Sequence, residues 1–327
     1  MKAWIVGDYG HYNEVMHLGE TVRPEPEGAD ALLSVNVIGI NFPDILAIAG
    51  TYQFKSPLPF IPGMEAMGEV VATGPDCPYE PGDRIMTFSG IGGIGAYGEY
   101  VIAAPGNTFK VRDNMSDADA AAFQTIYQTS YFGLKVRADL QPGETLLVYG
   151  GAGGVGTAAI QLGKLFGATV IATASTPEKL EICRQCGADH VINYVSEDFV
   201  PVVKELTDGR GADVIYDPVG GDVFDKSTKV INWNGRILVI GFTSGRIPEI
   251  RTNRILLKNI SLIGLHWGQY YKHEPHLVAE AQEVLYDAYD RKDIAPIIYK
   301  EYPLAELPRA LDAIESRESH GKIVITA

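Results

Sequence analysis

Between the apolar run TLLVY and the helix-patterned TAAIQLGKLFG stands Gly150-Gly151-Ala152-Gly153-Gly154-Val155-Gly156, and a second apolar run, TVIATA, follows the helix. Strand, glycine turn, helix and strand in that order form the setting in which a backbone holds a pyrophosphate. Glycines permit the tight turn and close approach, and the helix start offers unpaired N–H groups to the anion. Gly153, Gly154, Val155 and Gly156 are the candidate contacts. In folds that prefer NAD, an acidic residue about 20 residues further on bonds the ribose 2′-hydroxyl. Here the second run ends in Ala174-Ser175-Thr176 without a carboxylate, and Lys179 follows. A hydroxyl and an ammonium suit a 2′-phosphate, which a carboxylate would repel, so the expected cofactor is NADPH. Ser175 as a helix cap and Lys179 as a solvated helix residue are the plainer reading of the same pair.

Other chemistry-bearing groups are sparse. Cys183-x-x-Cys186 lies in the helical pattern EKLEICRQCGA with no second pair, which favours buried helix cysteines over a redox couple or half a zinc site. His273-Glu-Pro-His276 lacks the H-E-x-x-H spacing and is expected in a solvated loop. The three cysteines, Cys77 included, are too few for a disulfide framework and fit a reducing compartment.

The elements that must position these groups change character along the chain. The first hundred residues read as short β-branched runs, ALLSVNVIGI (31–40), EAMGEVVATG (65–74), DRIMTFS (83–89) and GEYVIAA (98–104), with little helical spacing. From about residue 117 an alanine-rich helical stretch begins. Six candidate strands then alternate with helices: TLLVYG (145–150), TVIATA (169–174), HVINY (190–194), DVIYDPV (213–219), GRILVIGF (235–242) and SLIGLHW (261–267). That alternation predicts a parallel sheet with crossover helices. A helix over about 275–291, the run IIYKEYPL, the helical LAELPRALDAIES and a terminal strand KIVITA complete the chain and are expected to return to the first domain.

The chain has 327 residues, which favours two domains, and its 46% hydrophobic and 21% charged residues describe a globular protein. The formal net charge of −14 opposes nucleic acid and anionic lipid, and no basic patch stands out to override it. No apolar run reaches the roughly 18–20 residues that span a bilayer, and MKAWIVGDYGHYNE lacks the regions of a signal peptide, so a cytoplasmic protein is expected.

The fingerprint, followed by STPEKLE, GADHVINY, DVIYDPVGG, GRILVIGF and ESRESHGKIVI and preceded by GINFPDILAIAGTY, PGMEAMGEVV and PGDRIM, resembles the zinc-independent quinone oxidoreductase branch of the medium-chain dehydrogenase/reductase family. The resemblance covers nearly the whole chain. It implies an α/β fold, a Rossmann doubly wound parallel sheet (123–267) plus a GroES-like β-rich catalytic domain (1–122 and 268–327), with NADPH and substrate in the cleft between them. It places Ser175, Lys179 and Tyr194 around the 2′-phosphate and makes Arg317 a further cofactor contact. Thr129, Val219, Gly241, Phe242, His266 and Trp267 fall at the cleft or at carboxyl ends of strands, where open α/β sheets bind ligands. At the positions that match zinc ligands stand Asn41 and Met64, only Glu65 remains, and SGIGGIGAYGEY replaces a cysteine lobe. Neither catalytic nor structural zinc is expected.

Of the residues left for chemistry, Tyr52 matches the tyrosine that serves related enoyl-thioester reductases as a donor. Asn41 could bond the nicotinamide ribose or the substrate oxygen, or only organise its turn, and Asp44 is expected to be structural. The glycine-rich stretch Ser89–Gly95 is expected to be a mobile loop at the rim. The reading that follows is an NADPH-dependent reductase of quinones or related α,β-unsaturated carbonyls. A 2-enoyl-thioester reductase and a non-catalytic NADPH-binding protein are the alternatives. A homodimer paired through the sixth strand is expected, because an apolar strand left as an open edge invites association.

Overall fold

The structure, a computed structural model, describes residues 1–89 and 95–327. Residues 90–94, most of the glycine-rich stretch expected at the rim, lie outside the described residues. The chain divides into two units, Met1–Thr125 with Pro296–Ala327, and Ile126–Ala295.

The first unit is built on strands β1 (Lys2–Val6), β2 (Met16–Glu20), β3 (Ala31–Ile40), β4 (Glu65–Thr73), β5 (Arg84–Phe88), β6 (Tyr100–Ala103) and β7 (Thr108–Lys110). The second carries β8 (Thr145–Val148), β9 (Thr169–Ala174), β10 (His190–Asn193), β11 (Ala212–Asp217), β12 (Ile231–Val239) and β13 (Ser261–Gly264). The chain then returns to the first unit with β14 (Ile298–Pro303) and β15 (Lys322–Thr326).

In the first unit β3 is the organising strand. Its apolar run is buried over most of its length, because it pairs antiparallel with β4 on one edge and, on the other, with β6 at its start and β15 at its end. Leu33, Val35, Ile38 and Ile40 join Ile85, Val101, Ile323 and Ile325 in one core. The C-terminal strand thereby lies against the end of β3, with Ile323 opposite Ile40. A helix that the β-rich reading missed, Phe42–Ile48, follows β3 directly. Its Pro43 suits a first turn, where no N–H is needed.

In the second unit the six strands order as β10-β9-β8-β11-β12-β13, all parallel. Counted within the unit, that is third, second, first, fourth, fifth and sixth, the doubly wound dinucleotide-binding order. Its strands are buried on both faces, as crossover helices require.

The division between the units differs from the sequence reading at both ends. The first change of unit falls inside the helix Asp117–Tyr131, and the return comes at Pro296, not 268. The reason is the helix Pro275–Asp290, which buries Val278, Ala281 and Leu285 and whose Gln282 Oε1 accepts from Gln128 Nε2 at 2.7 Å, within the second unit. Ala295 N likewise donates to Gln161 Oε1 at 2.9 Å.

Candidate functional site

In the second unit the chain leaves β8, passes Gly150 in the left-handed region at φ 59°, and starts a helix, Gly154–Leu165, capped by Gly153. Thr157 N closes the first turn onto Gly153 O at 2.8 Å. The amides of Gly154, Val155 and Gly156 precede it and have no acceptor within the helix, so the positive end of the helix is open to an anion. A side chain at Gly156 is excluded, since a Cβ would stand 2.2 Å from Gly150 O. The glycines therefore set the backbone cradle that a pyrophosphate needs.

Beside this turn, parallel pairing sets Asn193 next to Ala174, and Tyr194 N donates to Ala174 O at 3.2 Å. Ser175 and Tyr194 thus sit together at the tips of β9 and β10. Thr176 caps the following helix, Pro177–Gln185, its Oγ1 accepting from Lys179 N at 3.3 Å. The cap is therefore not Ser175, and the Ser175 hydroxyl is left outside the capping interaction. Lys179 rises in the first turn of that helix, on the same strand tip.

The loops after β11 and β12 are knitted together. Asp217 Oδ1 accepts from Val219 N (2.8 Å) and Gly220 N (2.9 Å), while Thr243 N and Ser244 N donate to Pro218 O (3.1 Å) and Val219 O (3.0 Å). Val219, Gly241 and Phe242 are brought into one double loop. Leu265 N donates to Val239 O at 3.2 Å and lays the segment after β13 along it. There His266 is held below the usual histidine range by partial burial, which disfavours its cation. Trp267 turns inward, its indole N–H donating to Gln128 Oε1 at 3.1 Å, so its ring serves the unit's interior. Thr129 is half-buried on the helix Asp117–Tyr131, beside Gln128.

The first unit holds a different kind of site. Lys322, the first residue of β15, is 3% exposed and faces Glu65, 0% exposed, at 2.9 Å. Its Nζ also donates to Asn41 Oδ1 (2.7 Å) and Ile40 O (3.0 Å). Asn41 Nδ2 donates to Gly39 O (3.1 Å) and to Glu65 Oε2 (3.2 Å), and Glu65 Oε1 accepts from Thr125 N (2.8 Å). Lysine can only donate, and a carbonyl and a carboxylate can only accept, so the amide has one orientation. Three of its four hydrogen-bonding positions are occupied inside the unit. Asn41 is an anchored group.

Asp44 extends this network. Its Oδ2 accepts from Asn41 N (2.8 Å) and from the Tyr97 hydroxyl (2.8 Å). Burial raises its pKa to about 7, an effect that Tyr97, the Asn41 amide and Lys322 oppose and Glu65 reinforces. Asp44 was expected to be structural, and it is the group of this network that titrates near neutrality. Tyr52 hangs from the same segment, its N–H and that of Thr51 both donating to Leu46 O (3.1 and 2.9 Å). Burial, then the Asp44 charge, raises the Tyr52 phenol and keeps it protonated.

Sequence reading did not single out Lys322, Tyr97 or Asp217. A lysine opening an otherwise apolar terminal strand was the available signal for the first. Arg317 is exposed just past the helix Leu307–Glu315, in a left-handed turn at φ 59°. Cys183 and Cys186 are free and buried, and burial raises both thiols, Cys183 to about 12, which disfavours the thiolate at either. His276 lies in the first turn of the helix Pro275–Asp290, not in a loop. Where the sequence showed no basic patch, the structure gathers Lys226, Lys229, Arg246, Arg251 and Arg254 around a groove of about 610 Å³. Asp222, Asp225 and Asp198 answer two of these cations with ion pairs.

A family model described as an alcohol dehydrogenase GroES-like domain matches residues 27–113, and one described as a zinc-binding dehydrogenase matches residues 154–283. A quinone oxidoreductase-like protein 2 homolog of Nematostella vectensis is 42% identical over 90% of this chain and 80% of its own length. The chain belongs to the quinone oxidoreductase branch of the medium-chain dehydrogenase/reductase family. Among solved structures of the family, a mycobacterial protein complexed with NADPH matches all of both chains at 30% identity and a TM-score of 0.93. Escherichia coli quinone oxidoreductase complexed with NADPH does so at 27% and 0.92. The two units are accordingly the GroES-like and Rossmann domains of that family.

One of those family descriptions names zinc, and the residues here do not fit it. Asn41 and Met64 supply no charged or imidazole ligand, and the neighbouring carboxylate, Glu65, already carries the Lys322 ammonium. Among the described residues, no group of three or more His, Cys, Asp or Glu is arranged to hold a metal ion.

Proposed function

We propose that this protein is an NADPH-dependent reductase that delivers hydride to quinones or related α,β-unsaturated carbonyls without a metal. The observation that carries the reading is the glycine turn Gly150–Gly156 standing beside a strand tip that offers Ser175, Lys179 and Tyr194 and no carboxylate. Bound NADPH supplies the hydride. The first-turn amides of Gly154, Val155 and Gly156 hold its pyrophosphate, the Ser175–Lys179–Tyr194 tip selects its 2′-phosphate, and the Val219, Gly241–Phe242 and His266–Trp267 backbones line the place for its nicotinamide half. The mycobacterial and E. coli structures are complexes with the same cofactor and support this assignment.

Tyr52, protonated at neutral pH, is the donor available to an oxygen on which negative charge develops. A quinone asks little of it, because the hydroquinone anion is already stabilised and takes its proton from water. Neutral His266 is assigned to cofactor contact, not proton transfer. Arg317 and Thr129 are assigned to cofactor contact as well.

The strand β13 pairs with β12 on one side and stands at the sheet edge, and Leu256 and Leu257, just ahead of it, are 77% and 68% exposed. A symmetric dimer that pairs β13 with its mate would cover that edge, and it is the expected assembly. No helix among the described residues is long and apolar enough to cross a membrane. The test is NADPH oxidation against ortho-quinones, para-quinones, enones and enoyl-CoA esters, before and after dialysis against a strong chelator. Turnover of quinones that survives dialysis is expected. Zinc bound in stoichiometric amount and lost together with turnover would overturn the metal-free assignment, and equal use of NADH would overturn the cofactor.

A further inference from the structure

We infer that Lys322 is a positioning residue for the segment Asn41–Tyr52: its ammonium, shared among Ile40 O, Asn41 Oδ1 and Glu65 Oε2, fixes the junction from which Tyr52 is presented. The inference rests on the proposed role of that segment at the substrate. The connection runs through hydrogen bonds at both ends of the helix Phe42–Ile48. Lys322 grips both the last carbonyl of β3 and the side chain of the next residue, so it sets the angle at which the strand gives way to the helix Phe42–Ile48. Asn41 N then donates to Asp44 Oδ2, which ties the first turn of the helix to its cap. At the other end Leu46 O receives the amides of Thr51 and Tyr52. Moving the helix start moves Tyr52.

The fold delivers Lys322 to this place by two local devices. Antiparallel pairing of β15 with β3 brings the last strand of the chain beside Ile40. Gly321, at φ 53°, turns the chain into β15, and a Cβ there would lie 2.0 Å from Ile297 O. Within the cluster Lys322 is the one cation among the groups the structure sets around Asp44, which are Tyr97, the Asn41 amide, Glu65 and Tyr52. The three oxygen acceptors Ile40 O, Asn41 Oδ1 and Glu65 Oε2 would repel one another with no cation between them. The ammonium therefore holds the junction closed, a role for which a filler of equal volume does not substitute.

Lys322→Met alone strands Glu65 as a buried charge and threatens folding, so the deciding variant joins it to Glu65→Gln, with Lys322→Arg as the conservative control. Hydrogen–deuterium exchange of peptides covering 41–52 is compared with that of 145–165, alongside quinone turnover and NADPH affinity. The double variant is expected to exchange about tenfold faster over 41–52 and to lose about tenfold in kcat, with 145–165 and NADPH Kd unchanged within about twofold. Lys322→Arg, which keeps the donors, is expected to outperform Lys322→Met with Glu65→Gln on both readouts. A folded double variant with wild-type exchange over 41–52, or one that matches or exceeds Lys322→Arg, would overturn the inference. Wild-type protein that turns over neither quinone nor enone would instead sink the functional reading, while the exchange comparison still decides the role of Lys322.

Discussion

The two units solve the problem of holding polar groups in opposite ways. The Rossmann unit keeps its candidate site on backbone and strand tips, in a turn that glycine leaves bare and beside Ser175, Lys179 and a half-exposed Tyr194. The GroES-like unit buries its polar groups outright and satisfies them against one another, from Thr125 through Glu65, Lys322 and Asn41 to Asp44 and Tyr97. A site of the first kind is weakened one ligand contact at a time. A site of the second kind stands or falls with the folding of its unit, because each buried partner left alone carries its full desolvation cost.

The largest expected effect follows from that contrast. Glu65→Ala leaves the Lys322 ammonium buried without its counter-charge and should lower the unfolding free energy by about 3–5 kcal/mol. Glu181→Ala in the second unit breaks an ion pair with Arg184 whose members are both more than half exposed, and should change stability by less than about 1 kcal/mol. Urea unfolding of the two variants side by side checks the difference, and equal losses would break the comparison.

Asp44 gives the buried network a pH signature. Folded Asp44 keeps its proton up to about 7, whereas the unfolded group releases it near 3.8. The folded state binds more protons in between, so this group's contribution is fully present below about pH 4 and is lost as pH rises through 7. Across that window the loss is roughly 4 kcal/mol in the limit of full burial. Urea midpoints at pH 5, 6, 7 and 8 should decline in the wild type more steeply than in Asp44→Asn, and parallel slopes would assign the titration elsewhere.

How far each site could be read from sequence follows the same division. The Rossmann site is contiguous in pattern: its glycine turn, its second strand TVIATA and the missing acid at the strand tip occupy 150–179, and the structure has β9 at Thr169–Ala174 as expected. The buried network joins residues 41, 44, 65, 97 and 322, which no spacing connects, and its members met only once antiparallel pairing had brought β15 to β3. Asn41 was found through resemblance, as a position without a zinc ligand, and its role as an anchor needed the donors and acceptors around it. Strand interiors were legible because β-branched runs are buried on both faces. The helix Phe42–Ile48 was not, because seven residues starting with Phe-Pro offer too short a window for a helical period. The return point was misplaced because an amphipathic helix does not disclose which unit it packs against.

In the Rossmann unit, two substitutions should divide binding into its parts. Gly156→Val drives a side chain into the Gly150 carbonyl, 2.2 Å from the Cβ position, and should weaken NADPH and NADH alike by more than about a hundredfold. Lys179→Ala should weaken NADPH alone by about tenfold, the order expected for one charge-assisted contact on a partly solvated side chain. Fluorescence titration with both nucleotides separates them. An equal loss of NADH affinity in Lys179→Ala would place the lysine somewhere other than the 2′-phosphate.

The smallest effect is expected where the two kinds of site meet in one residue, Tyr52, whose backbone belongs to the buried segment and whose phenol is half-buried. Alkene reduction builds an enolate, and removing a donor to such an oxygen typically costs about 10²–10³ in turnover. Reduction of a quinone gives an anion that is stable without help, so Tyr52→Phe keeps the ring's packing and removes little that the reaction needs. Turnover on a quinone should then fall by less than about tenfold, with the change carried mainly by KM as substrate positioning loosens. The phenol is raised by burial and by Asp44, so it stays protonated through neutral pH and the wild-type profile should show no tyrosine limb there. Measuring kcat and KM of wild type and Tyr52→Phe on a quinone and on an enoyl-CoA ester decides between the two chemistries. A loss beyond a hundredfold on both substrates, with the thioester the better wild-type substrate, would make this chain an enoyl-thioester reductase.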